Sequence, residues 1–403
     1  MPLLREEADK LTIESLQKGV IEVLITRGAR ELLGKLPFKS FQGTAYTFVA
    51  EKALPDSASI ADPYGNTIAT GVGSYNRIPV ASGSFMRNAD TAVIDTIGKS
   101  NINKQRRQDT IRAAKALSRD FMDQFINGTH VVGADVSLEG LEHWLDFYAP
   151  DFPEQTVYAT DAGTAADYGN AQALSLTLLD DLLTRFKGDG FDCIVSNRET
   201  QVAFQNLLNL AGGNTAGMFM EDKFGKMYWA YRGTPWHVFD VVGQAKRTTP
   251  GDAQAGIAAG SATVVAGGTL TVTDPRFVGF SSIDVGRAVS VNGVAQGVID
   301  SVTSNRVVEV SAAVAATGAL EVAKTNAIYC IRFDEEDGTT ALYHEGRGNA
   351  AENGEYEGPI SGFDAEDLGR LESSEKLRTR LTWYGSFAVQ SPHAIARLSH
   401  FTV

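Results

Sequence analysis

The stretch KQRRQDTIRAAKALSRDFMDQFING, residues 104–128, decides how the rest of this chain is read. Ile111, Ala114, Leu117, Phe121 and Phe125 recur every three or four positions, while Arg106, Arg107, Arg112, Lys115, Arg119 and Asp123 fill the intervening faces. The spacing predicts a helix over 103–127 with one narrow apolar stripe on an otherwise charged rod. Asn127 and Gly128 both tolerate the left-handed conformation that closes a helix C-terminus, so the helix is predicted to stop there. A rod of this kind usually lies across a sheet.

Upstream, residues 9–34 are helix-like, with Ile13, Leu16, Val20, Val23 and Leu24 on one side, and Gly19 and Gly28 interrupting them. An apolar but interrupted terminal helix docks on something, for instance another subunit, rather than standing alone. From Phe41 to about Gly98 the runs TAYTFVAE, NRIPVAS and SFMRNADTAVIDTI are strand-like, and the segment between the first two is rich in Gly, Ser, Asp and Pro. It is too poor in large apolar residues to build a core. An extended two-stranded excursion that needs neighbours is predicted.

Downstream, LSLTLLDDLLTRFKGDG predicts a helix ending at Gly188, FDCIVS a buried strand, and NRETQVAFQNLLNL a second helix capped by Asn197. At about Lys246 the composition shifts to Ala, Gly, Val, Ser and Thr. Alternating runs broken at Asn292-Gly293 and Asn305 predict a small all-β module inserted between two otherwise consecutive strands. NAIYCIRFDEEDGTTALYHEG then reads as a hairpin turning at Asp337-Gly338, EKLRTRLTWYGSFAVQ as a long strand, and SPHAIARL as a short helix capped by Ser391.

With 403 residues, 43% of them hydrophobic and 21% charged, the chain is an ordinary globular one of two or three domains. A formal charge of -13 argues against binding nucleic acid through bulk electrostatics. MPLLREEADK has no secretory pattern, and no apolar run approaches the roughly 20 residues of a membrane span, so a soluble intracellular product is expected. Cys193 and Cys330, alone in strand-like runs, form neither a disulfide framework nor a zinc site.

Strong catalytic constellations are missing. His130, His143, His237, His344, His393 and His400 lack metal-ligand spacing, and neither a Gly-x-Ser-x-Gly elbow nor a phosphate-binding Gly-x-x-x-x-Gly-Lys occurs. Asp334, Glu335, Glu336 and Asp337 read as a solvated hairpin tip. No catalytic, cofactor-binding or metal residue is therefore assigned and no cofactor is expected, which weighs against an enzyme.

The order of segments resembles the major capsid proteins of tailed bacteriophages, the Hong Kong 97-type fold. The resemblance is carried by SLQKGVIEVLITRGARELLGKLPF, by CIVSNRETQVAFQNL with YRGTPWHVFDVV, and by AIYCIRF with LRTRLTWYGSFAVQSPHAIARL. It implies an α+β architecture: an N-terminal arm (1–40), an extended loop (41–100), a peripheral domain (101–149) whose spine helix is 103–127, and an axial domain (150–246 and 326–365). An inserted β-rich domain (247–325) would interrupt the axial domain, and 366–403 would return as a peripheral strand and C-terminal segment. The implied function is a self-assembling icosahedral shell of pentamers and hexamers enclosing double-stranded DNA in the virion. The implied partners are copies of itself, a scaffolding protein, a portal and a decoration protein, with non-specific proximity to packaged DNA and no membrane. Lys52 and Lys99 lie near the loop that cross-links in some relatives, but no motif matches and that chemistry is not carried over. Two alternatives stay open: an encapsulin-like nanocompartment shell, and, more remotely, an α/β enzyme or adhesin that binds through the β module.

Overall fold

The computed structural model describes residues 35–42, 45–53, 74–93, 105–129, 138–185, 190–210, 219–221, 227–248, 262–265, 267–274, 277–312, 314–344, 363–371 and 374–403. The helix expected over 9–34 and the middle of the excursion lie outside these residues.

Helix α1 (Gln105–Asn127) lies across the strands Gly83–Ala92 and Lys376–Val389, as its single stripe requires. The stripe is shifted from the expected one. Ile111 is 43% exposed, whereas Ala113, Leu117, Phe121, Met122, Phe125 and Ile126 are buried. At 3.6 residues per turn Ile111 lies about 120° round the helix from Leu117, and the small Ala113 takes its place against Ala89 and Leu381. The floor beneath is aromatic: the Phe121 ring meets Trp383 and Phe387 edge-on at 5.0 Å each, and Phe125 meets Phe387 at 5.0 Å.

The helix stops where expected, for a different reason. Neither Asn127 nor Gly128 has positive φ. Gly128 is instead a crossing point, where a Cβ would come within 2.4 Å of the Gln124 carbonyl and 2.5 Å of that of Leu138. Gly140 donates its N–H to the Gly128 carbonyl at 3.0 Å and opens helix α2 (Leu141–Tyr148). Trp144 and Tyr148 of α2 are pinned to the long strand, donating to the carbonyls of Phe387 (3.1 Å) and Val389 (2.8 Å).

That long strand organises a five-stranded sheet. Gly83–Ala92 and Phe363–Arg370 flank its first part, and Thr339–His344 pairs with its last residues and, in parallel, with Phe38–Phe41. The strands Ala45–Ala53 and Ser74–Ala81 form a separate two-stranded ribbon.

A seven-stranded mixed sheet runs in the order 156–158, 395–399, 327–331, 193–196, 234–238, 227–231, 219–221. Helices α3 (Leu176–Thr184), capped by Ser175, and α4 (Arg198–Leu210) cover one face with Leu179, Leu182, Phe204 and Leu208. Asn197 caps α4 as expected, its Oδ1 accepting from the Thr200 N–H at 2.8 Å. Two expected elements differ. Ala327–Ile331 and Thr339–His344 are not a hairpin but belong to the two different sheets, joined across the 334–338 turn. The final segment is a three-residue turn, Pro392–Ala394, followed by the strand Ile395–Ser399, not a helix. Pairing on both edges, with 327–331 and 156–158, overrides the helix propensity of its Ala and Arg.

Between the strands Thr234–Val238 and Ala327–Ile331, both neighbours of Cys193–Ser196, the chain builds an antiparallel β-barrel. Residues 316–322 close it: Ala316–Gly318 pairs with Ala262–Val264 and Leu320–Val322 with Ala288–Val291, so one segment joins both halves of the sheet, and Lys246–Arg247 also pairs with Leu320–Val322. Period-two alternation fills the interior with Val264, Leu270, Val272, Val289, Val291, Val308, Val310, Leu320 and Val322. The predicted Asn292-Gly293 turn carries positive φ at both residues (52° and 75°). The barrel leaves and rejoins the body through one doorway, where the Thr325 N–H donates to the Gly243 carbonyl at 2.9 Å.

Candidate functional site

Among the described residues, the cysteines and histidines do not converge. Cys193 and Cys330 sit on adjacent strands but face opposite sides of the seven-stranded sheet, both as buried free thiols whose pKa burial pushes up. His143 and His344 pack on aromatic rings, His393 meets Gln155 at 3.0 Å, and His237 and His400 are buried. His130 and Lys99 lie outside the described residues, and Lys52 falls in the strand Ala45–Ala53. The acidic run is a turn: Asp334 Oδ1 accepts from the backbone N–H groups of Glu336 (2.8 Å) and Asp337 (3.2 Å). Among the described residues no group of three or more His, Cys, Asp or Glu is placed to hold a metal ion.

The ribbon of Ala45–Ala53 and Ser74–Ala81 presents one face to its own body. Phe48, Ile78 and Val80 are buried, and Phe48 packs against Trp144 at 5.8 Å between ring centres. On the opposite face Val49 is 64% exposed, and its cross-strand neighbours Arg77 and Pro79 are exposed too. A two-stranded ribbon is marginal alone. Its outer face and free edges are therefore the surface most suited to contact with a neighbouring molecule.

Where α2, the seven-stranded sheet and the barrel meet, the packing turns ionic. In Ile395–Ser399 the even residues Ala396 and Leu398 face α3 and α4, while Ile395, Arg397 and Ser399 face α2. Arg397, fully buried, pairs through Nη1 with Glu142 Oε2 of α2, and Tyr329 donates its hydroxyl to Glu142 Oε1 at 2.5 Å. Arg397 Nη2 donates to Ser282 Oγ of the barrel at 2.8 Å, and Ser282 donates its N–H (3.1 Å) and hydroxyl (2.5 Å) to Asp146, one turn along α2 from Glu142.

A second buried cluster adjoins it inside the barrel's root. Lys246 Nζ donates to Asp284 (2.6 Å) and to the Gly279 carbonyl (2.8 Å), while Arg287 pairs with the other Asp284 oxygen and donates to the carbonyls of Gln244 and Ala323, both at 2.6 Å. Against the upward push of burial, Lys246 and Arg287 hold the Asp284 carboxyl below the usual range. Burial wins at Glu142, whose pKa is raised despite Arg397. Glu142 and Asp284 thus each face a buried cation, as charge removed from water demands. Sequence reasoning missed this joint, and the one local signal is a lone Arg at the centre of the alternating run IARLS.

No protein-family model matches the chain, and no curated protein matches it in sequence. Solved structures do. The chain is similar to the holo-SrpI encapsulin complex from Synechococcus elongatus PCC 7942, with TM-score 0.53 and 14% identity over 100% of this chain and 96% of that one. It is equally similar to the capsid of cyanophage A-1(L), with TM-score 0.53 and 11% identity over 98% of this chain and 99% of that one. The fold is the Hong Kong 97-type fold.

Proposed function

We propose, starting from a fold shared end to end with an encapsulin and a cyanophage capsid, that this chain is the major capsid protein of a tailed bacteriophage. Copies assemble as pentamers and hexamers into the icosahedral shell that encloses the double-stranded DNA genome, and the protein resides in the virion. The observation that carries the reading is the match over 98% of this chain and 99% of the phage capsid chain. The role is structural rather than enzymatic.

In this reading residues 1–40 are the arm and 41–100 the extended loop laid over a neighbouring subunit, which suits the outward face of the ribbon. Residues 101–149 and 366–403 form the peripheral domain around α1. The seven-stranded sheet belongs to the axial domain (150–246 and 326–365), and 247–325 is an insertion displayed from it. A separate scaffolding protein, a portal and a decoration protein on the barrel complete the set of partners. The net charge of -13 keeps a shell lining from adhering to packaged DNA.

The equal similarity to the SrpI encapsulin favours a second reading, a nanocompartment shell that encloses protein. Electron microscopy of the expressed protein, with and without a co-expressed scaffold, tests both. Closed polyhedral shells or five- and six-fold capsomers are expected, and a persistent monomer under both conditions overturns the shell reading. Nuclease-protected DNA in native particles selects the phage reading, and a copurifying cargo protein selects the other.

A further inference from the structure

We infer that the buried ionic joint is an orientation latch, which holds the barrel at one angle on the body and whose disruption frees the barrel as a folded unit. The inference rests on the fold alone and holds whether or not the chain forms shells.

Two observations lead to it. The barrel is self-sufficient: its sheet closes on itself, and among the described residues its apolar core contains no side chain from the body. The body's main core, conversely, admits one barrel side chain among the described residues, Ile283. A seam with so little shared apolar packing has little non-directional adhesion to hold an angle.

The seam is directional instead. Ser282 and Ile283 lie in one 3-10 turn, Ser282–Asp284, which offers Ser282 to Asp146 and Arg397 of the body, while Lys246 and Arg287 in the barrel's own root fix the turn through Asp284. Four outlying hydrogen bonds brace it. Thr129, just past the end of α1, donates to the Val278 carbonyl at 2.6 Å and accepts at its own carbonyl from Asn305 at 3.3 Å. Tyr168 donates to Asp300 at 3.0 Å, and His400 Nε2 bonds the Val285 carbonyl at 2.9 Å. Buried charge pairs depend steeply on geometry, and removing one partner leaves the other uncompensated, so the arrangement favours one orientation over its neighbours.

The test is a distance measurement on the full chain. Spin labels are placed by Val314→Cys on the barrel and Val202→Cys on α4, both exposed positions, with the native cysteines buried. Labelled chains are diluted into unlabelled ones so that only distances within one subunit are read. A single narrow distance is expected for the parent. Glu142→Gln, which removes the charge but keeps the shape, should broaden it, while amide exchange in Val307–Val310 stays within about twofold of the parent. Should Glu142→Gln fail to fold, Asp146→Asn with Ser282→Ala, which leaves the Glu142–Arg397 pair intact, is judged on the same two readouts. A distance that stays narrow in the variant overturns the inference. So does a distance already broad in the parent, or a barrel whose exchange rises together with the rest of the chain.

Discussion

Buried histidines in this protein act as acid-sensitive weights. Burial lowers His237 and His400 from 6.5 to about 4, and His400 Nε2 faces the Val285 carbonyl while its Nδ1 faces the Ser399 hydroxyl. A neutral ring donating at Nε2 and accepting at Nδ1 satisfies both. Because the unfolded chain takes up these protons near pH 6.5 and the folded one only near 4, stability is complete above pH 6.5 and falls across that window. Each ring contributes up to about 3 kcal/mol to the fall. Urea midpoints measured between pH 7 and 4 should show it. His400→Asn, which accepts the left-handed backbone at that position (φ 61°), should flatten the slope. Gly128 acts through space rather than torsion: Gly128→Ala should destabilise by about 2 kcal/mol or more, since its Cβ meets backbone that cannot step aside. A urea titration showing no loss would refute the crossing. The glycine was legible in the sequence as a stop, but the carbonyls it passes, one of them ten residues on, were not.

Local periodicity carries far at the scale of elements. The spine helix, the capped α4, the long strand and the Asn292-Gly293 turn all follow from spacing and turn chemistry, because each is determined within about a dozen residues. The exceptions are instructive. Ile395–Ser399 reads as helix from its Ala and Arg and becomes a strand because partners at 327–331 and 156–158 bind both edges. Ala327–Ile331 and Thr339–His344 have hairpin spacing but part company into separate sheets. In α1 the stripe is real but rotated past Ile111, a choice made by the sheet below. Phe121 is the centre of that contact, touching Phe38, Phe85, Trp383 and Phe387. Phe121→Ala should therefore lower the unfolding free energy by about 3–5 kcal/mol, measured by denaturant titration, whereas Ile111→Ala should change it little.

The whole molecule divides its labour between a body, a ribbon and a barrel. The ribbon's sequence, poor in large apolar residues, predicts that it leans on neighbours. Deleting 55–75 should leave a folded chain that no longer forms normal closed shells, and normal shells from that deletion would contradict the ribbon's assembly role. The joint was not legible, because Glu142 and Arg397 stand 255 residues apart and buried charge pairs have no period.

The doorway has a consequence of another kind. Gly243 and Thr325 are bonded backbone to backbone, so the body's strands are already bridged before the barrel begins and after it ends. A Cβ at Gly243 would sit 2.0 Å from the Thr325 carbonyl, so this glycine is what lets the two threads lie side by side. The scaffold on either side asks only that whatever is threaded between them start and finish within a few ångströms. That makes the position a socket for foreign sequence, where an epitope or an enzyme with adjacent termini could be spliced in place of the barrel without redrawing the frame that carries it.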